Sequence, residues 1–221
     1  MPKNIYAFLV GINEYSGNVT NLEGCCNDVD QFHDYLSTRF KKNLHVEVLK
    51  NSDATRENII TVFREHLGKA TADDVALFQY CGHGAQCLSA PEFKAFFPDG
   101  KDEGLVCYDS RTENGYDLAD KELAVLLAEI AKNDPHITVI LDSCHSGSAT
   151  RDIDELNMLK PRFTAGKKEP RPLESYLDGF YENLVKEAQK AGRPLIIPSS
   201  RHIALAACDR KETAKENPQI P

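Results

Sequence analysis

Residues 136–147 read HITVILDSCHSG, an apolar run that ends in a polar, small-residue segment carrying Cys144. The apolar part follows Pro135 and has the length and composition of a buried strand. In open parallel-sheet proteins the functional side chains lie at the carboxyl ends of the strands. This stretch therefore predicts an α/β fold with a reactive thiol at the end of one strand.

A second apolar run ends in the same manner. Residues 75–80 read VALFQY, and CGHG follows at 81–84. If the two strands are neighbours in one parallel sheet, His83 and Cys144 emerge side by side at one edge, where an imidazole favours the thiolate. His145 is nearer in sequence, but residues adjacent on a chain usually point apart. The pattern therefore predicts a Cys–His nucleophilic site with His83 as the base.

The rest of the chain alternates between strand and helix patterns, with apolar stripes at helical spacing in the helices. A 33-residue stretch between the histidine strand and the next helix, residues 85–117, has few periodic signals and is interpreted as a long excursion over the sheet edge. Four β–helix–β alternations predict one domain with a mostly parallel sheet and helices on both faces. The remaining predicted elements are strands at 4–11, 44–49 and 203–207 and helices at 29–40, 55–67, 123–130 and 173–191.

Bulk composition narrows the classes of partner and location. A net charge of -8 and a pI near 5.4 argue against a nucleic-acid partner, which would usually require a basic face. No apolar stretch is long enough to span a bilayer, and the first residues lead directly into a predicted strand without a signal-peptide pattern. An odd count of seven cysteines does not suggest a disulfide framework. We therefore expect a cytoplasmic, reducing location and no membrane partner.

Small residues around the predicted dyad are suited to stabilising an oxyanion. The backbone N–H groups of Gly84 and Cys144 are candidates to face the negative charge of a tetrahedral intermediate. A glycine there allows the substrate backbone to approach closely. These two N–H groups are the predicted oxyanion hole.

Four segments, in order along the chain, resemble the metacaspases of the caspase clan of cysteine peptidases. The family pattern Tyr-Ser-Gly-His-Gly stands here as YCGHG at 80–84, and Asp-Ser-Cys-His-Ser-Gly is matched without change at 142–147. LEGCCNDV at 22–29 is similar to the family's Gly-Cys-x-Asn-Asp element, and residues 102–109 resemble its segment between histidine and nucleophile. The likeness extends from about residue 6 to about residue 216.

The resemblance implies a caspase-haemoglobinase-like fold with six strands, of which the sixth has no counterpart in this sequence. It further implies one catalytic domain over 1–221, in which 1–150 is similar to a large subunit and 151–200 to an inter-subunit linker. Residues 201–221 would begin the small-subunit-like part. We therefore expect a truncated or cleaved chain, with further domains or a partner chain beyond Pro221.

The same resemblance implies roles for individual residues. Cys144 would be the nucleophile and His83 the general base, with no cofactor required for bond cleavage. Asp28 and Asp142 would line a pocket for an arginine or lysine before the scissile bond. Cys81 stands where the family has a pocket serine. Plainer interpretations remain open, because a carboxylate at Asp28 suits the first turn of a helix and one at Asp142 can order the nucleophile loop.

The implied function is an endopeptidase that cleaves proteins after arginine or lysine and acts in regulated proteolysis, defence or cell death. Self-cleavage is expected in the breaker-rich segment that follows Cys144, which we predict to be exposed and flexible. A catalytically silent caspase-like regulatory module is the alternative. The basic residues available for self-cleavage are Arg151, Lys160, Arg162, Lys167, Lys168 and Arg171.

Three other chemistries fit the sequence less well. A Cys-x5-Arg phosphatase would need five residues between nucleophile and arginine, whereas Cys144 and Arg151 enclose six. A zinc site drawn from Cys81, His83 and Cys87 lacks a second ligand pair at ordinary spacing. Calcium is an open alternative to a solvated acidic loop, although the spacing is not that of an EF-hand. Its candidate ligands are Asp99, Asp102, Glu103 and Asp109.

Overall fold

A computed structural model describes residues 2–143, 160–207, 215 and 216. A π-helical turn, Phe63–Leu67, extends the second helix, and single 3-10 turns join several other elements. In chain order the strands and helices are β1 (Ile5–Gly11), α1 (Cys25–Phe40), β2 (Leu44–Lys50), α2 (Arg56–Val62), β3 (Val75–Cys81), β4 (Gly84–Leu88), β5 (Lys101–Leu105), β6 (Leu118–Ala119), α3 (Asp120–Ala131), β7 (His136–Asp142), β8 (Lys160–Pro161), α4 (Phe180–Ala191), β9 (Ile203–Ala206) and β10 (Lys215–Glu216).

A five-stranded sheet with the order β2-β1-β3-β7-β9 forms the centre of the fold, and every neighbouring pair in it is parallel. The predicted histidine-bearing and cysteine-bearing strands, β3 and β7, are neighbours in register. Cys81 lies opposite Asp142 on one side and opposite Gly11 on the other. The carboxyl ends of three strands therefore meet at one level, and the predicted α/β fold with a mostly parallel sheet is confirmed.

Alternate residues of β1 enter two different hydrophobic clusters. Ala7 and Leu9 pack with Val29 and Leu36 of α1 on one face of the sheet. Phe8 lies on the other face, in the cluster that includes apolar residues of α2 and α3. Because both faces are covered, the central strands need a continuous apolar sequence, which explains why they were recognisable. The Thr55 side chain caps the second helix by accepting a hydrogen bond from the Asn58 N–H.

Two sequence predictions about local structure were wrong. The segment 85–117 is not simply a loop, because β4, β5 and β6 form a small antiparallel sheet there. These strands have two to five residues and include glycine and charged residues, so they leave no periodic signal. The helix predicted from 173 begins instead at Phe180, since Leu177, Asp178 and Gly179 all have positive φ angles, which a right-handed helix does not allow.

The basic segment predicted to be exposed is partly buried. Arg162 and Arg171 are each 5% exposed, whereas Lys168 is exposed. The Arg171 guanidinium donates to both carboxylate oxygens of Glu122 at 2.9 and 2.8 Å, and Arg56 also pairs with this carboxylate. A buried charge needs such partners to offset its lost hydration, and the sequence pattern did not reveal them.

The far edge of the central sheet is unlike its middle. Ile203 and Leu205 of β9 are 63% and 55% exposed, although β9 pairs with β7 along its length.

Among the helices that the structure describes, none has the length and apolar character needed to cross a membrane.

Candidate active site

The turn after β3 places His83 at the carboxyl edge of the sheet and holds it there through its backbone. The His83 N–H donates to the Tyr15 hydroxyl at 2.8 Å, and its carbonyl accepts from the Tyr80 hydroxyl at 2.7 Å and from the Val106 N–H at 2.9 Å. A Cβ atom at Gly82 would lie 2.6 and 2.8 Å from the two tyrosine hydroxyl oxygens, so the turn requires glycine. These bonds fix the direction of the histidine.

The His83 ring is buried, and one hydrogen bond fixes its tautomer. Its Nε2 lies 2.7 Å from the carbonyl oxygen of Thr20. Because a carbonyl can only accept, the proton is on Nε2, and Nδ1 is the basic nitrogen. The ring also packs against Tyr15, with 5.1 Å between the ring centroids. Tyr15 and Thr20 were not predicted as site residues, since neither belongs to a recognisable motif.

Cys144 and His145 lie outside the described residues. Strand β7 ends at Asp142, directly beside the end of β3, and Ser143 is buried. The position of β7 agrees with the expectation that Cys144 emerges near His83. The nucleophile itself stays a prediction from the sequence.

Three predicted pocket residues come together from separate elements. Asp28 lies in the first turn of α1, Cys81 ends β3 and Asp142 ends β7. The Cys81 thiol lies 3.5 Å from the Asp28 carboxylate and 3.7 Å from the Asp142 carboxylate. The three residues form what we call the acidic pocket.

The acidic pocket is occupied by the side chain of Arg162. The Arg162 Nη2 donates to the Asp28 carboxylate at 2.7 Å, and Nη1 pairs with the Asp142 carboxylate. Nη1 also lies 3.1 Å from the Cys81 sulfur. The Arg162 side chain is 6% exposed, against 40% and 33% for the two carboxylates, so the guanidinium lies inside a pocket whose rim is open to water.

The backbone of the same segment lies along β4. The Gly84 N–H donates to the Arg162 carbonyl oxygen at 3.0 Å, and the Gly84 carbonyl accepts from the Thr164 N–H at 3.0 Å. Gly84 and Phe163 thus form a parallel bridge. Gly84 was predicted as an oxyanion-hole donor, and its N–H here contacts a peptide carbonyl.

The charge in the acidic pocket comes from its carboxylates. The pKa of the Cys81 thiol is raised by its hydrogen bond with the Cys25 thiol and by burial, so Cys81 is neutral near pH 7. Burial lowers the pKa of the Arg162 guanidinium, whereas the neighbouring Cys25, Cys81, Asp142 and Asp28 raise it, and the net shift is upward. One fixed positive charge therefore faces two carboxylates.

A family model described as "Metacaspase, peptidase C14 domain" matches residues 6–152, which is most of the chain that precedes the basic segment. The chain belongs to the metacaspase family. It is 33% identical over 150 residues to Metacaspase-1A of Aspergillus terreus and to Metacaspase-1 of Coccidioides immitis. Each match covers 65% of this chain but only 36% and 31% of those proteins, so the chain spans about a third of the metacaspases it matches.

The metacaspase fold has a solved counterpart in protein GSU0716 from Geobacter sulfurreducens. Its crystal structure superposes with a TM-score of 0.63 at 20% sequence identity and covers 95% of this chain and 75% of that one. At this identity the likeness concerns the fold alone. It agrees with the caspase-like architecture that the motifs implied.

The candidate calcium ligands of this metacaspase domain do not converge. Asp102 is buried and pairs with the Lys121 ammonium at 2.5 Å, while Asp109 accepts from the Arg56 backbone N–H at 2.9 Å. These residues therefore do not fit a shared calcium site. Within the described ranges, the acidic, histidine and cysteine side chains close enough to share an ion are the three of the acidic pocket, where Arg162 already supplies a positive charge.

The candidate zinc ligands do not form a shared site either. The Cys87 thiol lies 3.0 Å from the Asp117 carboxylate, and the described side chains close enough to share an ion do not include Cys87 or His83. The His83 Nε2 is engaged by Thr20. Cys81, His83 and Cys87 therefore do not form a metal-binding set.

Proposed function

We propose that this chain is the catalytic domain of a cysteine endopeptidase that cleaves proteins after arginine or lysine. Cys144 is the nucleophile and His83 the base. The observation that carries the proposal is the guanidinium of Arg162 held by Asp28 and Asp142, beside the strand end that bears His83. A pocket that accommodates an arginine inside the protein has the chemistry to accommodate one from a substrate.

The proposed reaction is hydrolysis through a thioester. The Cys144 sulfur attacks the carbonyl carbon, while His83 takes the thiol proton at Nδ1 and then gives it to the departing amine. Water then attacks the thioester, releases the new carboxylate and restores the thiol. The N–H groups of Gly84 and Cys144 stabilise the oxyanion, and each such donor is typically worth about 2.7–4 kcal/mol of transition-state stabilisation.

One observation favours the silent-module alternative, because a permanently filled pocket would block substrates. The Arg162 side chain is 6% exposed and fills the acidic pocket in the intact chain. An intact Cys–His pair in the sequence argues for the enzyme. Peptide hydrolysis separates the two functions directly.

The test is cleavage of matched fluorogenic peptides that end in Arg, Lys, Asp or Leu. We expect hydrolysis of the Arg and Lys peptides and its loss in Cys144→Ala, which removes the covalent nucleophile without opening a large cavity. His83→Ala should lose nearly as much, because members of one catalytic unit are not additive.

His145→Ala is the matched control, since it removes the other histidine near the nucleophile. Wild-type protein without any peptide hydrolysis would favour the silent module. More than a few per cent of activity left in Cys144→Ala would exclude Cys144 as the nucleophile. A strong loss in His145→Ala with little in His83→Ala would move the role of base to His145.

A further inference from the structure

The three donor side chains of the acidic pocket have the spacing of ligands around one tetrahedral metal ion. The Cys81 sulfur lies 3.5 Å from a carboxylate oxygen of Asp28 and 3.7 Å from one of Asp142, and the three donor atoms all lie within 4.8 Å of one another. A tetrahedral zinc ion with bonds of about 2.3 Å to sulfur and about 2.0 Å to oxygen places these two ligand atoms about 3.5 Å apart. The donors therefore fit one zinc ion with little movement.

The backbone brings these donors together from three elements. Cys81 and Asp142 are register partners at the ends of the adjacent parallel strands β3 and β7, and Asp28 lies in the first turn of α1, which packs on the same sheet. The thiol is buried, whereas the two carboxylates are 40% and 33% exposed. An ion from solvent can thus meet the carboxylates first and the thiol further inside.

A cationic group already lies among these donors. The Arg162 Nη2 donates to the Asp28 carboxylate at 2.7 Å. The Arg162 Nη1 pairs with Asp142 and lies 3.1 Å from the Cys81 sulfur. The donors therefore hold positive charge in the folded protein, an observation that is independent of their spacing. Because a metal ion and a guanidinium need the same donors, the two exclude each other.

The sulfur of Cys81 determines which ion the donors suit. Oxygen ligands alone favour hard cations such as Mg²⁺ and Ca²⁺, which take six or more of them. A thiolate ligand favours zinc and softer ions instead. Zinc sites with three protein ligands complete their tetrahedron with water, so a set of three donors is sufficient. The acidic pocket is therefore better suited to zinc than to calcium.

We propose that Asp28, Cys81 and Asp142 form a zinc site, and that the bound ion prevents a basic side chain from entering the acidic pocket. The second part rests on the proposed function, in which this pocket binds the arginine or lysine of a substrate. On binding, the ion displaces the Cys81 thiol proton to solvent, because a coordinating thiol is deprotonated. No electron is transferred, and no other reactant is needed.

Metal binding to Cys144→Ala/Arg162→Ala tests the site without catalysis. This variant lacks the predicted nucleophile, whose thiol could itself bind metal, and it lacks the guanidinium that competes for the donors. We expect one zinc ion per chain in isothermal titration calorimetry. With Co²⁺ as the spectroscopic probe, we expect the sulfur-to-metal absorption band of thiolate coordination.

Replacing the sulfur identifies the ligand. Cys81→Ser, added to the same variant, should remove the sulfur-to-metal band and weaken zinc binding at least about tenfold, since even residues that only support a metal ligand cost that much. Cys26→Ser, a half-buried cysteine in the first turn of α1, is the matched control and should leave both unchanged. Circular dichroism checks the fold of each variant. If the double variant does not fold, Cys144→Ala alone allows the same comparison, with Arg162 lowering every affinity alike.

Competition with a peptide tests the second part. An arginine peptide should lower the apparent zinc affinity of Cys144→Ala/Arg162→Ala, and zinc should lower its peptide affinity by the same factor, because the coupling is reciprocal. In the active protein, zinc should inhibit hydrolysis of the arginine peptide competitively. The inhibition constant, measured against each variant's own activity, should rise at least about tenfold in Cys81→Ser and stay unchanged in Cys26→Ser.

The outcomes separate the zinc site from the function. A folded Cys144→Ala/Arg162→Ala without the sulfur-to-metal band, or with a zinc affinity that Cys81→Ser leaves unchanged, would overturn the zinc site and leave the peptidase in place. Zinc that binds without competing with the arginine peptide would overturn the exclusion of basic side chains. Zinc binding that depends on Cys81, in a protein whose wild type hydrolyses no peptide, would support the site and remove the proposed function.

Discussion

Asp28 and Asp142, which are far apart in the sequence, contact the same guanidinium. Asp28 lies in the first turn of α1, where a carboxylate also suits the helix dipole, and Asp142 ends β7. Neither is deeply buried, with 40% and 33% of the side chain exposed. The same two residues hold Arg162 and, under the proposed function, also bind the basic residue of an external substrate.

Asp28→Asn and Asp142→Asn should each weaken cleavage after arginine. Truncating one partner of a desolvated charge pair typically costs about 2–5 kcal/mol, but solvent screening of these partly exposed carboxylates reduces the effect. We expect kcat/KM for an arginine peptide to fall roughly ten- to a hundredfold in each variant. Asp34→Asn, an exposed position on α1, is the matched control. A preference for Asp peptides in the wild type, or an unchanged arginine preference in both variants, would refute the acidic pocket.

The turn after β3 is stabilised by the hydroxyl groups of two tyrosines, one from the segment after β1 and one from β3 itself. Tyr15 follows β1 and accepts from the His83 N–H, while Tyr80 lies in β3 and donates to the His83 and Val106 carbonyls. Burial raises the pKa of both tyrosines, so both hydroxyls keep their protons. The histidine is thus oriented by its own backbone as well as by its ring.

Tyr15→Phe tests this support. Without the hydroxyl the buried His83 N–H loses its acceptor, and an unsatisfied buried polar group costs about 1–3 kcal/mol. We expect the free energy of unfolding to fall by that amount and kcat to fall more than KM changes, since the base is less well held. Urea unfolding and peptide kinetics measure the two effects, with the exposed Tyr35→Phe as the matched control. Unchanged kcat in a destabilised protein would mean that the hydroxyl supports the fold alone.

The residues after Arg162 are bound to the first part of the chain by contacts that do not involve the Arg162–Phe163 bond. Strand β9 pairs with β7, and the Tyr181 hydroxyl donates to the Lys121 carbonyl at 2.8 Å. Glu122, with 0% side-chain exposure, pairs with Arg171. The second part therefore extends the sheet and the core of the first.

The two fragments of a chain cut after Arg162 should stay together. We expect them to elute as one species in size-exclusion chromatography, at the volume of uncut Cys144→Ala, and to separate in denaturant. Glu122→Gln should lower the urea concentration needed for separation, because breaking a buried ion pair typically costs about 3–5 kcal/mol. Glu174→Gln, an exposed position near Arg171, should not. Two separate peaks without denaturant would contradict the prediction.

The sequence alone determined the elements whose signals are local. The apolar runs of β3 and β7 are visible because both faces of these strands are covered, and the stripe Val29, Phe32, Leu36 predicts α1 because helix neighbours recur every three or four residues. The motifs also predicted that His83, Asp28 and Asp142 lie at one edge of the sheet. Parallel pairing aligns the carboxyl ends of β3 and β7, which are distant in the chain, whereas Asp28 comes from the first turn of α1.

Only the tertiary structure decided where Arg162 lies. In sequence it is one of several basic residues in a breaker-rich segment, and such residues are usually solvated. Its partners Asp28 and Asp142 are 134 and 20 positions away, so no local pattern links them to it. The short strands β4 to β6 were not predicted for a similar reason. They are stabilised by pairing with one another, and their own sequences carry no periodic apolar pattern. A buried charge is determined by its surroundings, and these exist only once the chain has folded.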